Sequence, residues 1–140
     1  MREFQGERIM MAKRFNDIFT PDVLKKLFPE DRADRFFDAL FGDPAEGAYD
    51  ISLEFREHSQ DRLKFELHLT QRPGKCLYCN LTYGLPNVFA RHPIINISEL
   101  VQEINRMLDD CARCVDWQLG PTQEISGDHH VIPLVISLDR

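Results

Sequence analysis

The sequence predicts an α+β domain: one antiparallel sheet of about five strands with helices packed on one face. Three observations carry this. Two N-terminal segments repeat apolar residues at helical spacing, the middle of the chain switches to strict alternation, and a longer helical stripe precedes two more apolar runs. The expected order is helix, helix, three strands, helix, two strands.

Residues 1–11 carry no periodicity and are expected to be a disordered extension or a mis-assigned start. Gly6-Glu7 can be encoded by a purine-rich stretch like a ribosome-binding site, which would put the true start at Met10 or Met11. A single domain is expected over residues 12–140. Thr20-Pro21-Asp22 opens its first clear helix, combining a hydroxyl cap, a proline at the first position and an acid facing the helix dipole. Val23, Leu24, Leu27 and Phe28 form its apolar face. A second helix, 30–41, carries Ala33, Phe36, Phe37, Leu40 and Phe41, and Gly42 supplies its stop.

Tyr49, Ile51, Leu53 and Phe55 then alternate with Asp50, Ser52, Glu54 and Arg56. After a turn at His58–Asp61, Leu63, Phe65, Leu67 and Leu69 alternate with Lys64, Glu66 and His68. These are half-buried antiparallel strands, each with one wet face. Pro73-Gly74 marks a turn into a third strand, 77–84, with Leu77, Cys79, Leu81 and Tyr83 on one side. A loop through Pro86 and Pro93 follows.

The clearest helix comes next. Asn96 and Glu99 have capping-box spacing, and Ile95 with Leu100 fits a hydrophobic staple. Ile97, Leu100, Val101, Ile104, Met107, Leu108 and Cys111 form one stripe, opposite an acidic face. The last strands are expected at 115–119, with Val115, Trp117 and Leu119 inward, and at 131–138. Pro133 points to an edge position for the latter, at least on one side.

Composition narrows the function classes. The chain has 140 residues, 43% hydrophobic and 29% charged, the usage of one globular domain. Its net charge is −6, and Lys and Arg are scattered among acids. That field repels phosphate backbones and anionic membranes, so no nucleic-acid or membrane partner is expected. No run reaches the ~18 apolar residues of a membrane span, and residues 1–15 lack the apolar core of a signal peptide. A cytoplasmic protein is expected. There, cysteines are more often thiols or metal ligands than disulfides.

All four cysteines fall in two Cys-x-x-Cys pairs, Cys76/Cys79 and Cys111/Cys114. Zinc takes four soft ligands in a tetrahedron, and each pair can supply two thiolates. Cys76, Cys79, Cys111 and Cys114 are therefore candidate structural zinc ligands. The competing reading is four buried or free thiols. Cys111 lies on the helix stripe and Cys79 aligns with core residues, while a flat strand would splay Cys76 and Cys79 to opposite faces. A redox role is disfavoured, because Cys111 and Cys114 sit at the expected end of a helix, where the dipole opposes thiolate.

The histidines suggest no site. His129-His130, after Gly127-Asp128, reads as a surface turn, and His68 as a residue on a wet strand face. Asn87–His92 is the most chemically mixed segment, and its placement in a loop is compatible with function. No phosphate loop, nucleophile elbow or catalytic carboxylate pair is present.

Taken together, FTPDVLKKLFP, FFDALFGDPAEGAYDISLEF, QRPGKCLYCNLTYGLPNVFARHP and HVIPLVISL resemble a small bacterial protein family with no assigned activity. The resemblance spans residues 12–138. Members sometimes carry the label pancreas/duodenum homeobox protein, which does not suit these residues. A homeodomain is three helices with a basic recognition helix, whereas strands dominate here and the longest helix is acidic. Helix–three strands–helix is also the order of a double-stranded-RNA-binding domain, without the basic helix start. With two further strands it resembles type III secretion chaperones, which are dimers that hold unfolded segments. Fold analogy assigns no function.

The expected function is a non-catalytic binding or adaptor module, with a protein or peptide partner and the four-cysteine zinc site. The alternatives are a chaperone-like homodimer and a thiol-dependent enzyme.

Overall fold

The computed structural model describes residues 15, 17–75, 85–108 and 112–139. Helix α1 (Pro21–Leu27) starts as its residues predict: Thr20 Oγ1 accepts the Val23 N–H at 3.3 Å and Pro21 sits in the first turn. Helix α2 (Arg32–Phe41) ends on Gly42, whose φ of 78° provides the left-handed stop. A 3₁₀ turn (Pro44–Glu46) then delivers Gly47 against the Phe37 ring. A methyl group on Gly47 would lie 2.1 Å from that ring, so only glycine lets the chain pass.

The sheet is antiparallel throughout. Strand β1 (Tyr49–His58) pairs with β2 (Arg62–Gln71), which pairs with β5 (His129–Asp139). The far edge of β5 carries β3 (Arg113–Leu119) and the short β4 (Gln123–Ser126). Alternation sorts the two faces. The rows Leu53–Leu67–Ile132 and Phe55–Phe65–Leu134 point inward, while Asp50, Ser52 and Glu54 point to solvent. Helices α1 and α2, together with α3 (Leu85–Arg91) and α4 (Ile97–Leu108), close over the inward face. The core unites Phe19, Leu24, Phe28, Phe36 and Phe37 with Phe89, Leu100 and Ile104 above the sheet. The α+β class with a five-stranded antiparallel sheet thus stands. Among the described residues, no helix is long and apolar enough to cross a membrane.

Several local expectations change. The strand predicted at 77–84 lies outside the described residues, and among the described residues the sheet has an unpredicted strand, β4, with all four side chains exposed and so without apolar alternation. The segment expected to loop through Pro86 is helix α3. Pro86 falls at its second position, where its missing N–H costs nothing, and Phe89 anchors it by burial.

Pro133 sits in an interior strand rather than an edge. Its carbonyl accepts the Gly120 N–H at 2.8 Å, on the side where β5 passes from β3 to β4. The amide proton that proline lacks would face that same break in the ladder, so no strand pair is lost. A bulge between Cys114 and Asp116 replaces one member of the expected inward set of β3, Val115, with Cys114 and keeps Trp117 and Leu119 inward. Val115 turns out to 53% exposure, while Cys114, Trp117 and Leu119 pack against the core.

Candidate functional site

On α1 Leu24 fills the core, as does Phe28 just past its end, whereas Val23 and Leu27 of the same apolar arc stay half-buried. The arc is wider than the surface it packs on, and the surplus lines a groove. Helix α4 forms the facing wall with Leu100 and Met107, and the linker before it adds Pro93 and Ile94. Above this apolar floor stand Lys26, Arg32 and Arg35 on one side, with Glu99 and Glu103 on the other. The groove encloses about 510 Å³, within the range of ligand-holding clefts.

Two devices fix its walls. Arg32 donates from Nη1 to the Ile95 carbonyl at 3.1 Å, and its guanidinium lies 4.9 Å from the Phe28 ring centroid. Burial, aided by repulsion from Arg35, lowers its pKa from the ordinary value, but an arginine remains charged at neutral pH. Opposite, Asn96 starts α4: its Oδ1 accepts the Glu99 N–H at 3.3 Å and its Nδ2 donates to the Glu99 carboxylate at 2.8 Å. Half of the capping box predicted from spacing is formed, the Glu99 N–H to Asn96 Oδ1; the Glu99 carboxylate returns to the Asn96 side-chain amide, while the Asn96 backbone N–H goes to the His92 carbonyl. The groove holds a tethered cation on one rim and a tethered carboxylate on the other. It offers apolar contact between two lines of opposite charge, an arrangement suited to binding.

The cysteine pairs are only partly within view. Cys76, Cys79 and Cys111 lie outside the described residues. Cys114 is on strand β3 rather than on a helix tail, half-buried, with its N–H donated to Asn105 Oδ1 at 2.8 Å. Burial pushes its thiol pKa up to about 11.

The histidines are less bland than their surroundings in the sequence imply. His129 and His130 are not a turn but the first two residues of β5, and His130 is 4% exposed. His68 is on the outer sheet face as predicted, yet it is half-buried and closely surrounded. Its Nδ1 lies 2.7 Å from His129 Nε2, and its Nε2 lies 2.8 Å from Glu54 Oε2 and 3.0 Å from Glu66 Oε1. The signal for this cluster was present in the period-two pattern, which places Glu54, Glu66 and His68 on the wet faces of paired strands. In the Asn87–His92 segment, Phe89 is buried, and His92 meets Phe36 edge-on at 4.7 Å while its Nδ1 accepts the Ile94 N–H. Burial lowers the His92 pKa, so a neutral ring serving the helix end fits that position.

No protein-family description, curated protein or solved structure matches the chain.

Proposed function

We propose that this chain is a non-catalytic binding module that receives an amphipathic helical segment of a protein partner in the groove between α1, α2 and α4. The observation that carries the reading is the half-buried floor of Val23, Leu27, Ile94 and Met107 between two rims of opposite charge. A helix laid in such a groove buries its apolar stripe. Its acidic flank would meet Lys26, Arg32 and Arg35, and its basic flank Glu99 and Glu103. The overall acidity of the chain, −6, adds a preference for partners of basic character. Within this reading, zinc on Cys76, Cys79, Cys111 and Cys114 would be structural, a tie holding the end of α4 to the sheet on which Cys114 lies.

A photo-crosslinking residue at Met107 in native cells supplies the test. Cross-linked peptides are sequenced, and the matching synthetic peptide is titrated into the wild-type chain, Leu27→Glu and Met107→Glu. At least tenfold weaker binding to both variants is expected. Equal affinities would remove the groove from the interaction, and cross-links to a second copy of the chain would replace the reading with a homodimer.

A further inference from the structure

On the sheet face opposite the groove, the ladder sets Glu54 of β1 directly across from Glu66 of β2. Like charges in facing positions repel, and a sheet normally avoids the pairing. Here both carboxylates close on a single atom, His68 Nε2, at 2.8 and 3.0 Å. One imidazole N–H cannot satisfy two carboxylates with good geometry, so the cluster collects acceptors faster than it supplies donors. Arg56 approaches Glu66 only at 3.4 Å and is largely exposed, so it answers one carboxylate weakly.

From this geometry we propose that Glu54, Glu66 and His68 form a binding site for a divalent first-row transition ion, with His129 as the residue that orients His68. Ligand atoms sharing an ion at bond lengths of about 2.1 Å lie roughly 3.0–3.4 Å apart in octahedral or tetrahedral arrangements. The oxygen and nitrogen separations here are already within a few tenths of an ångström of that, and the three ligand atoms all fall within 4.8 Å of one another. An ion would replace the shared proton and screen the two facing carboxylates at once.

His129 strengthens the assignment. For Nε2 to offer its lone pair to an ion, Nδ1 must carry the proton and needs an acceptor. His129 Nε2, 2.7 Å away, is that acceptor. An orienting partner on the second ring nitrogen is a regular companion of metal-bound histidine. The imidazole ligand disfavours Mg²⁺ and Ca²⁺, while the two carboxylates suit Mn²⁺ or Zn²⁺ over soft ions. Three protein ligands leave coordination positions for water or a donor atom from a bound molecule. Glu54 is on the solvent side, giving an ion a direct approach. None of these residues lines the groove, so this site and the proposed partner binding stand or fall separately.

Manganese is the probe, because a hard ion distinguishes this site from the cysteine thiolates. The full chain, stripped with EDTA and dialysed, is titrated with MnCl₂ while electron paramagnetic resonance follows free Mn²⁺. One bound ion per chain is expected in the micromolar range. His68→Ala and Glu66→Gln should each weaken it at least tenfold, and His129→Phe about tenfold by loss of orientation. Glu54→Gln, a solvent-side change that leaves the core untouched, guards against a folding artefact and should also weaken binding tenfold. Circular dichroism confirms that each variant is folded. Binding no tighter than millimolar, or tight binding that all four substitutions leave unchanged, would overturn the site.

Discussion

Nη2 of Arg72 donates to the Asp34 carboxylate at 2.7 Å, bringing together α2 and the end of β2 from 38 residues apart. The same guanidinium donates from Nε to Asp50 at 3.0 Å and from Nη1 to the Pro44 carbonyl at 2.8 Å, and it lies 5.4 Å from the Phe37 ring centroid. One side chain therefore joins α2, the 3₁₀ turn, β1 and β2. The planar fork of arginine can reach several acceptors in fixed directions, and an ammonium cannot.

Arg72→Ala should cost about 1–2 kcal/mol, because it removes a part-buried guanidinium and several hydrogen bonds at once, although their acceptors can turn to water. Asp34→Ala, which removes one solvent-exposed acceptor, should cost under ~1 kcal/mol. Urea unfolding of both variants reads the difference. If Arg72→Lys proved as stable as wild type, the fork would be irrelevant and plain charge would suffice.

Arg72 also shows where sequence reasoning stops. The hairpin is legible because alternation over Tyr49–Phe55 and Leu63–Leu69 fixes which side chains go inward, whatever the partner strand. Asp34, Asp50 and Pro44 meet Arg72 only after the helices dock, and no spacing encodes that meeting. The same holds for the groove: α4's acidic face was plain, but not that Glu99 and Glu103 would stand opposite Arg32 and Arg35. Bulges are a second limit. The extra residue at Val115 turns Cys114 inward, and another between Phe55 and Glu57 shifts the register beside Glu54, so strict alternation breaks at each. Propensity misled at Pro86, where a residue that breaks helix interiors begins a helix instead.

Asn96 is the one described non-glycine residue with positive φ, at 48°. Asparagine tolerates this region because its short amide bonds locally, and here it also caps α4. The two roles separate by substitution. Asn96→Ala loses the cap and keeps the strain, so a loss of about 1–2 kcal/mol is expected. Asn96→Gly loses the cap but accepts the backbone angle, and should cost only a few tenths of a kcal/mol. Chemical denaturation of the pair decides the matter. Equal losses would mean the backbone angle carries no strain.

In the metal-free chain the Cys114 thiol, raised to about 11 by burial, carries roughly a hundredfold less thiolate at pH 8 than an unperturbed cysteine. Since only thiolate attacks an alkylating reagent, Cys114 should react with iodoacetamide at least tenfold more slowly in the folded chain than in urea. Mass spectrometry of the digested protein follows it residue by residue. Rapid labelling of Cys114 at pH 8 would contradict the burial and would favour a reactive thiol.

Among the described residues, Tyr49 gives the clearest pH dependence. The side chain is buried, its ring edge-on to Phe37 at 4.9 Å, and burial holds the phenol pKa far above its usual value near 10. A raised folded pKa means the folded state keeps the proton that the unfolded state releases. The contribution is therefore complete below pH 10, the unfolded value, and declines as pH rises toward the folded one. The decline can reach about 1.4 kcal/mol per pH unit for one group. In the metal-free chain Cys114 adds a similar loss beginning near pH 9, smaller because the thiol is only half-buried. Urea midpoints measured from pH 8 to 11.5 should fall steeply above pH 10 in the wild type. Tyr49→Phe keeps the ring in the core and removes the ionisable hydroxyl, so its midpoints should fall much less over the same interval. Parallel curves for the two proteins would move the alkaline sensitivity to another group.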